Sequence, residues 1–208
     1  MIITYYGKAF VKLQFGDMTV AINPISKKVE GKSPRFGADI ALSSLQVPEF
    51  SGTDLLVSSS KEPFIIDGPG EYELSDVFIK GYPSPGPDGR VNTIYMVQIE
   101  GMKICHLGGL AENNLADSIL EEISGADVLF VPLGEQETVS AKLAAKLGSS
   151  LIPKIIIPVL YGEKETTGAL IEFLKEIGGN KPKSIDKLSL KKKDLENKEG
   201  EVVVLMSS

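Results

Sequence analysis

Apolar residues along the first half of the chain alternate or cluster in short runs, which predicts β-strands. Ile2 to Tyr6 forms a first strand, and Phe10, Leu13 and Phe15 sit among polar positions in a second. Met18 to Ile22 follows the Gly16-Asp17 turn, a hairpin signal. Ile40 to Leu42 and Leu55 to Val57 are short and wholly apolar, as expected of buried strands. Phe64–Ile66, Tyr72–Leu74, Val77–Ile79 and Thr93–Ile99 continue the pattern. Gly81 to Gly89 is dense in proline and glycine and reads as a loop.

The second half alternates strands with helices. Met102–Cys105, Val128–Val131, Ile155–Val159 and Glu201–Met206 read as strands. Leu115, Ile119, Leu120 and Ile123 recur at helical spacing, with Asn113 or Asn114 as N-cap. Val139, Leu143, Ala144 and Leu147 mark a second helix, stopped by Gly148. Leu170, Phe173, Leu174 and Ile177 mark a third, capped by Thr166 or Thr167 and ended by Gly178-Gly179. Helices over the outer faces of two packed sheets would bury all these stripes, an α/β layered architecture. No linker divides the chain, so residues 1–208 are expected to form a single domain.

Composition changes this picture little. The hydrophobic fraction is 42% and the charged fraction 24%, so neither disorder nor a fibre is indicated. Net charge is −6 and pI near 5.0, which argues against nucleic acid as a partner. The basic stretch Lys187 to Lys193 is followed by Asp194, Glu196 and Glu199, as in a mixed, solvated surface. No apolar run nears the roughly 20 residues of a membrane helix, and no signal peptide is evident. The single cysteine, Cys105, suits a reducing compartment, so a cytoplasmic location is expected.

The residues that carry chemistry are few. His106, the only histidine, ends a strand and reads as a histidine bonded to backbone, with a proton-donor role as the rival. Glu49, Asp67 and Glu71 read as loop and turn carboxylates, although oxygen-only binding of Mg²⁺ or Ca²⁺ is conceivable. Ser43, Ser44 and Ser58–Ser60 raise the question of a serine nucleophile, but no Gly-X-Ser-X-Gly elbow occurs. A Ser44–His106 pair would require the fold to bring the two together, with no third group to orient the base. Lys8 and Lys12 read as surface lysines, with recruitment of an anion as the alternative. Tyr5 and Tyr6 read as strand core, and no glycine-rich nucleotide fingerprint is present.

Asp67-Gly-Pro-Gly-Glu-Tyr-Glu73, Asn92-Thr-Ile-Tyr95, His106-Leu-Gly108, Lys154-Ile-Ile-Ile-Pro158 and Tyr161-Gly162 together resemble a bacterial branch of the metallo-β-lactamase superfamily. The branch is the ascorbate-6-phosphate lactonase-like, Zn-dependent hydrolase group, and the order of segments fits from about Ile2 to Met206. The resemblance implies a four-layer αββα sandwich with metals at one edge of the sheets. It also implies a ligand motif, Thr-His-X-His-X-Asp-His, after Ala38–Leu42. Zinc or manganese there needs imidazole nitrogens and carboxylate oxygens at about 2.0–2.2 Å.

Position by position, the resemblance implies that those ligands are gone. The motif's threonine falls on Ser44, its paired histidines on Leu45 and Val47, its aspartate on Glu49 and its last histidine on Phe50. A further histidine should fall within Pro83 to Gly89, which has none. The bridging aspartate falls on Gly109 and the final histidine on Leu160. An N-terminal Gly-His-Ala reads Gly7-Lys8-Ala9, and Ile-Asp-Pro reads Ile22-Asn23-Pro24. The expectation is therefore a protein without catalytic residues, metal or other cofactor. It would act as a scaffold, partner-binding or small-ligand-binding protein, with Lys8, Asn23, Ser44, Leu45, Val47, Glu49, Phe50, His106, Gly109 and Leu160 lining the former site. The alternative is a metal-dependent hydrolase with a non-standard, mononuclear site built from His106, Glu49 and Asp88. A purely structural homo-oligomer is the third.

Overall fold

The computed structural model describes residues 1–30, 34–56, 62–134, 137–162, 168–178 and 182–208. Two mixed sheets face each other. The first has the order β12-β1-β2-β3-β4-β5 and the second β13-β11-β10-β9-β8-β7-β6. Their members are β1 (Ile2–Tyr5), β2 (Val11–Phe15), β3 (Met18–Ile22), β4 (Ile40–Leu42), β5 (Phe64–Ile66), β6 (Gly70–Leu74), β7 (Val77–Pro85), β8 (Val91–Ile99), β9 (Met102–His106), β10 (Val128–Pro132), β11 (Ile155–Val159), β12 (Lys187–Ser189) and β13 (Glu201–Val202). Ile3, Tyr5, Val11, Leu13, Val20 and Ile22 face Val77, Ile79, Tyr95 and Val97 in one core between the sheets.

Strands β9, β10, β11 and β13 run parallel, which requires crossovers. Two of these crossovers are α1 (Asp117–Ile123) and α2 (Ala141–Ser150), and α3 (Gly168–Glu176) packs against α2. Such helices cover the outer face of the second sheet, so β10 and β11 are buried at every residue. The outer face of the first sheet is covered by a separate cluster of Phe10, Ala21, Ile25, Ala38, Ala41 and Leu56, with Phe36 and Tyr6 stacked at its rim.

Several local expectations are corrected. Gly81 to Gly89 is not a loop throughout, because β7 runs to Pro85 and only Pro87–Gly89 forms a 3-10 turn. The neighbouring β6 ends its pairing at Gly81, so past that point one side of β7 has no ladder. There Pro83 and Pro85 cost no sheet hydrogen bond. Thr53–Leu55 is a 3-10 turn rather than part of a strand, and Leu56 is buried against the first sheet's outer face. Val57 lies outside the described residues, as do Ser58–Ser60, Thr166, Thr167 and Gly179.

Helix α1 starts at Asp117 after Ala116, not at Asn113 or Asn114, because Leu115 is first spent against the core. Gly148 does not stop α2. A Cβ there would come within 3.3 Å of Ile156, so the glycine lets the helix sit close on the sheet. The final strand is only Glu201–Val202, followed by a bridge between Leu205 and Ile185.

Candidate functional site: a sealed sheet edge

Loops following β1, β3, β4, β9 and β11 meet at one edge of the sandwich. Their mutual hydrogen bonds fix the meeting. The Leu160 amide donates to the Lys8 carbonyl at 2.8 Å, and the Ser44 amide donates to Asn23 Oδ1 at 2.8 Å. Lys8, Asn23 and Leu160 all have positive φ, at 49°, 54° and 55°. For leucine this is an uncommon backbone state, held only because the surroundings over-determine it.

Into this edge project Ala9, Leu45, Phe50 and Leu160, which form a buried apolar cluster of their own, with Val47 packed against it. None of these side chains carries a lone pair that could bind a cation. Glu49 stands at the rim, in an open groove of about 320 Å³ lined also by Leu45, Val47, Pro87, Asp88, Arg90 and Glu137. Asp88 pairs with Arg90, whose guanidinium holds its carboxyl below the usual range.

His106 lies beneath, fully buried and stacked on Phe130 at 5.2 Å. Its Nδ1 accepts from the Gly108 amide at 2.9 Å, so Nε2 carries the proton and donates to the Ala9 carbonyl at 3.1 Å. Burial lowers its pKa from 6.5 to about 4, only partly offset by the Ala9 carbonyl. The ring is neutral at neutral pH and both nitrogens are engaged. It does not line the groove of Glu49 and Asp88, so the three residues of the mononuclear alternative are not brought together. Nor does a Ser44–His106 pair form, since Ser44 Oγ has no hydrogen-bond partner and the imidazole has no free nitrogen.

The other candidates are scattered. Glu71 pairs with Lys80 at 3.4 Å on the outer face of the second sheet, while the Asp67 carbonyl accepts from Gln46. Lys12 lies 5.0 Å above the Phe36 ring, a cation–π contact that occupies it. Among the described residues, no three His, Cys, Asp or Glu side chains converge as a metal site would require. The residues that the resemblance aligns with metal ligands therefore do not fit the family's zinc or manganese.

Asn92 and Tyr95, which the sequence offers only as part of the resemblance and without a role, organise the site. Asn92 is fully buried; its Nδ2 donates to Ser84 Oγ at 2.8 Å and to the Leu107 carbonyl at 3.0 Å, and its Oδ1 accepts from Gly109 at 2.8 Å. It pins the 107–109 turn. Tyr95 reaches across to the first sheet, its hydroxyl 3.1 Å from both the Ser43 and Ile66 carbonyls. Asn23 Nδ2, Ser43 Oγ and Ser44 Oγ remain buried without partners, so the edge keeps polar groups around its apolar seal.

The profile of the beta-lactamase superfamily domain matches residues 2–160, about three quarters of the chain. The chain belongs to the metallo-β-lactamase superfamily. A candidate Zn-dependent hydrolase of this superfamily from Thermotoga maritima superposes with a TM-score of 0.76 and 30% identity, covering 99% of this chain and 98% of that one. A candidate metal-dependent hydrolase from Parabacteroides distasonis shares the fold at a TM-score of 0.66 and 18% identity, over 86% of this chain and 90% of that one. A UPF0173 protein of Pyrococcus furiosus is 31% identical over 108 residues, 51% of this chain and 49% of its own length. A UPF0173 metal-dependent hydrolase of Symbiobacterium thermophilum is 31% identical over 80 residues, 37% of this chain and 35% of its own. The chain thus spans about half or less of the length of these curated relatives.

The expected metallo-β-lactamase sandwich is the fold of the chain. The relatives' names favour the hydrolase alternative, and none of them supports inactivity. No helix among the described residues is long and apolar enough to cross a membrane.

Proposed function

We propose that this superfamily member does not use the hydrolytic metal chemistry named in its relatives, and that it works by binding, as a scaffold or partner-recognition protein. The observation that carries this reading is the Ala9, Leu45, Phe50 and Leu160 cluster in the place where the family resemblance puts metal ligands. A divalent cation needs several donors converging within bonding distance. Aliphatic and phenyl groups supply none, and desolvating a cation among them is strongly unfavourable. The one imidazole is committed to backbone on both nitrogens.

A second reading keeps the chain a metal-dependent hydrolase. The relatives' names favour it, and Glu49, Asp88 and Glu137 supply carboxylates around the groove above the seal. The two readings separate in an activity assay against ester, lactone and phosphodiester model substrates with added Zn²⁺ or Mn²⁺. The binding reading expects no turnover above a protein-free control. Turnover abolished by chelation and restored by metal would overturn it in favour of the hydrolase.

A further inference from the structure

We propose that Leu45 and Gly109 are an interlocked pair: the leucine occupies the space that any side chain at position 109 would need, and so bars a metal-bridging carboxylate from that position. This deepens the metal-free reading above and rests on it. Two glycines, Gly86 and Gly109, flank the leucine. A Cβ built on Gly109 would lie 2.5 Å from Leu45 Cδ1 and 3.3 Å from Phe50 Cζ. A Cβ built on Gly86 would lie 3.0 Å from Leu45 Cδ2. The isopropyl group is therefore seated in a notch with a glycine on each side.

A flexible side chain on a surface could swing away from a new Cβ. Leu45 cannot do so freely, because it is 3% exposed and packed against Ala9, Phe50 and Leu160. Interiors at this density transmit such overlaps as off-rotamer strain. Nor is backbone conformation the reason for glycine at 109, which is not among the residues with positive φ. Its neighbour is different in kind. Gly108 has φ +63°, and a Cβ there would meet Asn92 and, at 2.6 Å, the Ser44 side chain. The two adjacent glycines thus have separate causes, one conformational and polar, the other chiefly Leu45 with Phe50 behind it.

That difference gives the test. Urea unfolding would be measured for the parent chain, Leu45→Ala, Gly109→Ala, Gly108→Ala and the two doubles with Leu45→Ala. Contacting residues couple where distant ones add. The proposal expects Gly109→Ala to lower the folding equilibrium constant at least roughly tenfold more in the parent than in the Leu45→Ala background. Gly108→Ala should be equally damaging in both. If Gly109→Ala does not fold at all, a folded Leu45→Ala/Gly109→Ala double carries the same support. Additive effects at 109, an unfolded double, or equal rescue of Gly108→Ala would each overturn the proposal. The readout is stability in metal-free buffer. A metal found bound elsewhere on the chain would defeat the functional reading while leaving this coupling as measured.

Discussion

The main-chain amide of Gly108 donates to Nδ1 of His106 across 2.9 Å, and that bond decides what the only histidine can do. It fixes the tautomer in which Nε2–H faces the Ala9 carbonyl. Binding a metal or a proton at Nδ1 would break the turn that Asn92 pins from its other side. His106 is thus a cross-brace between β9 and the loop after β1.

The brace carries a pH signature. With the folded pKa near 4 and the ordinary value at 6.5, the unfolded chain binds a proton that the folded chain refuses between those values. The stability is fully present above the unfolded pKa and lost as pH falls toward 4. Denaturation in urea should therefore show a loss of about 2 kcal/mol between pH 7 and pH 5 from this residue. A His106→Gln variant should show a correspondingly flatter profile. An unchanged slope in that variant would mean that the ring is not held neutral.

Asp127 braces the opposite end of the second sheet. Its carboxylate, 3% exposed as a residue, accepts from Lys154 at 2.8 Å, Lys192 at 2.7 Å and the Lys103 amide at 2.9 Å. Burial alone would raise its pKa, but the two ammonium groups and the amide outweigh burial and lower it. Asp127→Ala should cost about 2–3 kcal/mol, discounted because both lysines are partly in water. Lys192→Ala should cost clearly less. Chemical denaturation of both variants checks the order, and a neutral Asp127→Ala would contradict the brace.

The apolar seal should behave as core. Phe50 is 1% exposed, and Phe50→Ala should destabilise by about 3–5 kcal/mol. Leu160 adds a conformational test, since its φ of 55° costs a non-glycine residue about 1–2 kcal/mol. Leu160→Gly should therefore be no less stable than Leu160→Ala, despite losing one more carbon. Calorimetric midpoints decide this, and a markedly lower midpoint for the glycine variant would contradict the strain.

Much of this was legible in the residues. Period-two apolar runs and the three helical stripes announce two sheets with crossover helices, because burial dictates both periods. Leu45, Val47 and Phe50 plainly lack donor atoms, but that they stand where metal ligands would be rests on the family resemblance alone. What was not legible depended on distant parts of the chain. Nothing local reveals that Gly86 and Gly109 flank one leucine, or that Asn92 serves the 107–109 turn. The proline-rich stretch misled for a similar reason: Pro83 and Pro85 are tolerated in β7 only because β6 stops at Gly81.

Whether this protein holds a metal at all is decided by its metal content after equilibration. The protein would be incubated with excess Zn²⁺ and Mn²⁺, desalted, and assayed by elemental analysis, alongside a His106→Ala variant. Far less than one equivalent of metal per chain is expected in both. Stoichiometric metal in the parent, whether or not the variant loses it, would contradict a metal-free protein.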